Sequence, residues 1–479
     1  MRERGKSKMF HLQENRTTAS TEILAGLTTF MTMAYIIALN PNLLTGFGAE
    51  GQDLWNAVFM ATCLASGVGT ILMGFLANKP FAMAPGMGLN SFFAIVVAQI
   101  AGIAGVSYVK GFQAGLAIIL IEGIVFLVLS VFNVREELVK AIPLPIRIGT
   151  APAIGVMLMN IGFGSNAGIY SETGGPFYAM RDFFGALTAK TASDAMGSGY
   201  SAMVLSVVTM FVGFFIIVIL AHHKVKGAVL VGMLAASCIY WAAEAAFLHT
   251  NPFESLAGAS WLPAFGDMAN VTLFKFDFST LFSIDFFTVI MLIMTFCIID
   301  MFDTIGTLVG TASRAGMIDD EGNMPQMKQA MISDAVGTIV GASTGTSTVT
   351  TFIESASGVE AGGRTGLTAI VTGVVFLLCM FIAPIAALIP PAATSAALIY
   401  VGVIMISGLR RVDFDDSFQL VPVAVMLIAM PISGSIGHAI GLGMITYTVM
   451  KIFTGKAKDV SVLTYIISVL FLIKFFAVI

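Results

Sequence analysis

Four polar side chains stand in stretches that are otherwise mostly apolar, small or hydroxylated. They are Asn90 in "APGMGLNSFFA", Asp300 and Asp303 in "TFCIIDMFDTIGTL", and Glu354 in "STGTSTVTTFIESASGV". A carboxylate accepts hydrogen bonds from ligand N–H groups and can take up a proton, and a carboxamide both donates and accepts. Asp300 and Asp303 are three residues apart, so on a helix they share one face with Thr304 and Thr307 nearby. An ionised carboxylate at the centre of a membrane helix costs roughly 2.5 to 3.5 kcal/mol on the insertion scale, so two together need a reason. Either they share a proton, or one pairs with a partner while the other meets a ligand. Asp303 has a second reading, as a residue near the end of a long helix that helps solvate it toward Arg314.

The elements that must position these groups are membrane helices. The chain of 479 residues is 57% hydrophobic and carries 11% charged residues, where soluble domains have about 25%; its mean hydropathy is +0.91. Apolar runs recur that are continuous rather than alternating, which predicts an all-α polytopic fold and not a barrel. Spans are expected near 22–43, 55–77, 84–103, 112–132, 144–162, 201–221 and 226–247, then near 284–311, 327–343, 346–360, 365–387, 392–409, 418–431 and 434–453. This gives a polar N-terminal segment 1–21 with no removable signal peptide, a first seven-span repeat 22–248, a loop 249–283, a second repeat 284–453 and a tail 454–479. With the N-terminus in the cytoplasm, 19 of the 24 lysines and arginines fall on inward segments and 4 on outward loops, and Lys474 lies in the apolar tail. That bias supports fourteen spans, because one missed span would scramble the parity. The tail is either an interfacial helix, a docked segment or a fifteenth span.

Internal similarity points the same way. Val68-Gly69-Thr70-Ile71 matches Val336-Gly337-Thr338-Ile339, and Ile142-Pro143 with Gly155-Val156 recurs as Ile389-Pro390 with Gly402-Val403. Both matches join the same span number of each half, so the chain reads as a seven-plus-seven repeat, inverted because seven is odd. The third and tenth spans are broken at corresponding places: Pro85, Gly86 and Gly88 precede Asn90, and a run of Ser, Thr and Gly precedes Glu354. Each predicts a short extended segment leading into a half-helix whose N-terminus favours a carboxylate or a ligand acceptor atom. Paired interruptions of this kind mark transport sites in inverted-repeat carriers; glycines and threonines also simply permit close packing.

Other functions are disfavoured. A net charge of -4 gives no basic face for nucleic acid, and HExxH, GxxxxGK[ST] and GxSxG are absent, so no enzyme, metal site or bound cofactor is expected. Cys63, Cys238, Cys297 and Cys379 read as small apolar residues. Glu122, Glu244 and Asp334 are expected to make structural hydrogen bonds, and His438 to be a loop residue. Phe92, Phe93, Phe302 and Phe352 flank the candidate site and any of them can stack on a planar ligand, though with 38 phenylalanines core packing is the ordinary role.

At "APGMGLNSFFA", "DMFDTIGTLVG", "SDAVGTIVGASTGTSTVTTFIESASGV" and "GGRTGLTA" the chain resembles the nucleobase:cation symporter-2 family, and in particular its azaguanine-type branch of adenine, guanine and hypoxanthine permeases. The resemblance runs the length of the chain, including "EILAGLTTFMTMAYIIALNP". It implies a core domain of spans 1–4 and 8–11, a gate domain of spans 5–7 and 12–14, and substrate held by the third, eighth and tenth spans. It places the family's substrate positions on Asn90, Asp300 and Glu354, supported by Asp303, with Phe92 and Phe352 as candidate ring contacts and Asp300 and Glu354 as proton-coupling candidates. The uracil and xanthine branches carry glutamate or glutamine where Asp300 and Glu354 stand here. The expected activity is purine uptake by proton symport in a bacterial plasma membrane, with the bilayer and a possible second copy as partners. Sodium coupling, or another small solute or anion on the same fold, is the alternative.

Overall fold

The computed structural model describes residues 10–46, 50–132, 142–164, 199–257, 259–314, 317, 324–433 and 436–476. Residues 1–9 of the N-terminal segment, the lysines and arginines at 135, 140, 181 and 190 counted above, and the side chains of Phe302 and Arg314 lie outside the described residues. Among those described, 11 helices are long and apolar enough to cross a membrane, and they correspond to expected spans 1–8, 11, 12 and 14. The ninth, Met327–Thr344, is full length but less apolar, carrying Lys328 and Asp334. The thirteenth, Ser417–Ser433, is short and holds Pro422 and Pro431. The tenth is not a single helix.

Helix starts follow from local chemistry. Thr18 caps the first span by accepting from the Thr21 N–H, and Ser107 does the same for the fourth. The repeated prolines Pro143 and Pro390 are the N-caps of the fifth and twelfth spans, where a missing N–H costs nothing. The first span departs from the sequence reading, because it breaks into Ala19–Met33 and Ile36–Leu44. Pro41 has no N–H to give to Ile37, and the chain upstream tightens so that the Ile37 N–H bonds Ala34 O at 3.2 Å.

Two compact units result, residues 1–139 with 261–383 and residues 140–260 with 384–479. Their memberships are those expected of a core and a gate domain. In the first, spans 2 and 11 approach through facing glycines, so that a Cβ on Gly373 would lie 2.7 Å from Gly67 O. In the second, the repeated glycines meet each other, and a Cβ on Gly402 would lie 2.5 Å from Gly155 O. The tail helix Val462–Phe476 docks antiparallel along the last span, with Thr448 and Ser468 hydroxyls 2.9 Å apart and the His438 and Phe475 rings at 5.5 Å. It therefore retraces that helix instead of lying across its end.

The loop before the eighth span is partly folded. Helix Phe265–Val271 is held by Asn56 donating to Asp267 at 2.8 Å and Thr272 donating to Thr344 O at 2.8 Å, and helix Phe278–Ser283 by the N–H of its N-cap Asp277 bonding Gln113 O at 3.2 Å. Burial raises the Asp277 carboxyl, but hydrogen bonds from Thr280 and Ser279 and the nearby Lys110 ammonium outweigh it and bring the pKa down to about 2.

Candidate functional site

The two interrupted spans meet. Met83–Pro85 and Val349–Thr351 pair antiparallel, with Met83 opposite Thr351, Ala84 opposite Thr350 and Pro85 opposite Val349. The Gly86 N–H to Thr348 O bond and the Phe352 N–H to Ala82 O bond continue the ladder beyond each end. Extended backbone inside a membrane survives only if its polar groups are satisfied, and here the outer edges are closed by the repeated threonines. Thr70 Oγ1 accepts from the Met83 N–H at 2.8 Å and donates to Met83 O at 3.0 Å, while Thr338 Oγ1 donates to Val349 O at 3.2 Å. The "VGTI" match thus has a physical cause: its threonines pin the two strands, and its glycines lie close enough that a Cβ on Gly69 would be 3.6 Å from Gly337 Cα. Because an orphaned buried donor costs about 1–3 kcal/mol, Thr70→Val should lower thermal stability and transport more than Thr338→Val, which leaves only a carbonyl unserved; Thr70→Ser should restore both.

Half-helices leave both strands, Met87–Ala104 after Gly86 and Ser355–Glu360 after Glu354. Asn90, on the first, is fully buried. Its Nδ2 donates to Asn40 Oδ1 at 2.6 Å and Pro85 O at 3.2 Å, and its Oδ1 accepts from Ser347. Asn40 in turn donates to Thr62 at 2.7 Å and Thr346 at 2.9 Å. Both amide hydrogens of Asn90 are therefore engaged inside the protein, and in this structure it braces the strand crossing. Asn40 escaped the sequence reading, although a polar residue directly before Pro41 inside an apolar span was a signal for it.

Asp300 is also fully buried. Thr304 Oγ1 lies 3.1 Å from Asp300 Oδ1, 2.9 Å from Asp334 Oδ2 and 2.9 Å from Thr350 Oγ1, so the eighth, ninth and tenth spans converge on one hydroxyl. Thr348 donates to buried Glu122 at 3.0 Å. Glu122 and Asp334 thus bond within the protein, as expected of them, to a threonine of the broken span and to Thr304 beside it.

Asp303 and Glu354 differ from Asp300 in being partly exposed. Asp303 Oδ2 lies close to Gly86, 3.5 Å from where a Cβ would stand, beside the first turn of the third-span half-helix. Glu354 Oε1 accepts from the Tyr35 hydroxyl at 2.7 Å. Tyr35 sits at the break of the first span and was likewise not foreseen. The eighth-span pair is thereby split, with Asp300 fully buried and Asp303 partly exposed. Of the expected phenylalanines, Phe92 packs on Phe296 at 4.6 Å, and Phe352 is buried.

Membrane helices in which the third and tenth members break into paired strands, with carboxylates gathered at the break, have the architecture of an inverted-repeat transporter. The chain belongs to the Xan_ur_permease family, described as a permease family, whose model matches residues 20–439. It is 39% identical to "Adenine permease AdeP" of Escherichia coli (strain K12), covering 98% of this chain and 95% of that one. It is 35% identical to "Guanine/hypoxanthine permease PbuO" of Bacillus subtilis (strain 168), covering 98% and 100%. The transmembrane domain of the cyanobacterium bicarbonate transporter BicA has the same fold, with a TM-score of 0.62 at 15% identity over 88% of this chain and 96% of that one.

Proposed function

We propose that this protein imports a purine nucleobase, adenine, guanine or hypoxanthine, by proton symport, with its N-terminus in the cytoplasm. The observation that carries the reading is the pair of accessible carboxylates, Asp303 and Glu354, at the strand crossing. Purine rings present N–H donors along one edge, and two carboxylates supply the acceptors that those donors need. The relatives named above as adenine and guanine/hypoxanthine permeases support the substrate class.

Proton coupling draws on the Thr304 hydroxyl, which has one hydrogen to give and two lone pairs to offer. That hydrogen is shared between Asp300 and Asp334, with the Thr350 hydroxyl as third neighbour, so two carboxyls compete for one donor. Two buried carboxyls brought to one hydroxyl disfavour two negative charges and favour uptake of a proton by the pair. In this proposal Asp300, with Asp334 beside it at the same hydroxyl, takes the coupled proton behind the ligand carboxylates, and Asn90 braces the crossing.

Cells lacking their own purine uptake and expressing this protein should accumulate labelled adenine, guanine or hypoxanthine, with unlabelled purines but not uracil competing. Collapse of the proton gradient should abolish accumulation. Accumulation that survives collapse and depends on sodium would overturn the coupling, and failure of all three bases to enter would overturn the substrate class. An anion substrate, as bicarbonate is for BicA, is disfavoured by carboxylates at the crossing.

A further inference from the structure

Glu354 stands at the N-cap position of Ser355–Glu360, yet its side chain makes no capping bond to that half-helix. Its carboxylate is held instead from another span. The Tyr35 hydroxyl donates to Oε1 at 2.7 Å from the two-residue break between Ala19–Met33 and Ile36–Leu44. Tyr35 is 1% exposed, so its ring is clamped by packing and its hydroxyl is a fixed donor rather than a swinging one. The backbone around it is fixed as well: the Leu39 N–H bonds Tyr35 O at 3.0 Å, and the adjoining helix packs on the half-helix through Thr29 and Ala25 against Gly358.

We propose that Tyr35 is a positioning residue for ligand recognition, locking one oxygen of Glu354 so that the other is presented to a base N–H. A carboxylate has two equivalent oxygens and rotates freely about its last bond. A donor on Oε1 removes that freedom and commits the group to accepting. A ligand then meets a pre-aimed acceptor and loses less freedom on binding than it would against a mobile one. The tightened turn in the first span has a function in this account, because the phenol that reaches the tenth span stands in it.

The inference rests on the purine reading for its ligand but not for its contact, and the test separates the two. Tyr35→Phe removes the hydroxyl alone and keeps the ring. In membranes its uptake should show KM raised about 10-fold, as for loss of one hydrogen bond to a charged group, with Vmax within about twofold of the unaltered protein at equal membrane levels. In purified protein without any base, modification of Glu354 by a hydrophobic carbodiimide, read by peptide mass spectrometry, should be faster in Tyr35→Phe because the carboxyl is no longer tethered. An unchanged KM overturns the proposal, and so does a fall in Vmax or membrane level at constant KM, which would mark a purely structural tyrosine. Unchanged labelling of Glu354 overturns it independently of transport. If the unaltered protein carries no purine while labelling still rises in the variant, the substrate reading fails and the tether stands.

Discussion

Glutamine in place of Glu354 is expected to reduce purine uptake by at least about 10- to 150-fold, with membrane insertion intact. The estimate follows from one hydrogen bond to a charged group, worth about 1.5–3 kcal/mol. The substitution does more than weaken that bond. A carboxamide can still accept from Tyr35 through its oxygen, but its second atom is then an NH2 that faces the ligand as a donor. Where the base presents N–H, two donors oppose each other, and a site built for one hydrogen-bond pattern rejects the mismatched one strongly. Glu354→Asp keeps the charge but withdraws it by one methylene from both Tyr35 and the ligand, so it should retain measurable uptake at raised KM. Asp303→Asn should fall between the two. Initial rates with labelled adenine, guanine and hypoxanthine, normalised to protein in the membrane, decide this; uptake by Glu354→Gln equal to the unaltered protein would place recognition elsewhere.

Much of this site was legible before the fold was known, for particular reasons. Pro85 and Gly86, and the Ser and Thr run before Glu354, announce broken helices by composition alone. The "VGTI" match announces two elements in equivalent places, and the structure gives the equivalence its content in Thr70 and Thr338, each pinning a strand. What composition cannot supply is the phase of a helix about its axis. Residues i and i+3 differ by about 60° around a helix, which is enough to turn Asp300 into the protein toward Thr304 while Asp303 reaches the accessible side beside Gly86. Strand register is equally remote, since Ala84 opposite Thr350 joins positions far apart in the chain. The first span reads as one helix because its polar residues, Tyr35 and Asn40, are diluted in an apolar window, and their partners come from the second, third and tenth spans.

Glu22 is the clearest instance of a residue hidden by that averaging, and its removal carries the largest expected loss of stability. It lies in the first turn of the first span and is fully buried, a position that would be untenable for a charge without compensation. Its Oε1 accepts from the Arg364 N–H at 2.9 Å, and its Oε2 accepts from the Thr365 N–H at 3.2 Å, the Thr365 hydroxyl at 2.9 Å and the Thr368 hydroxyl at 2.6 Å. These donors surround the start of the eleventh span, Gly366–Leu378, so a side chain of one span caps another and meets the positive end of its dipole. Glu22→Ala leaves two backbone N–H groups in a buried site. The Thr368 hydroxyl already reaches Glu22 O as a second acceptor and hydroxyls can rotate, so the fixed backbone donors set most of the loss. At about 1–3 kcal/mol each, removal should destabilise the protein by about 2–6 kcal/mol, a large share of the stability of a typical domain. Glu22→Gln keeps one accepting oxygen and should lose about half as much. Thermal unfolding of detergent-purified protein, followed by the loss of its monodisperse elution, should rank the unaltered protein above Glu22→Gln and Glu22→Ala lowest; equal stability of all three would mean that water replaces the carboxylate at the helix start.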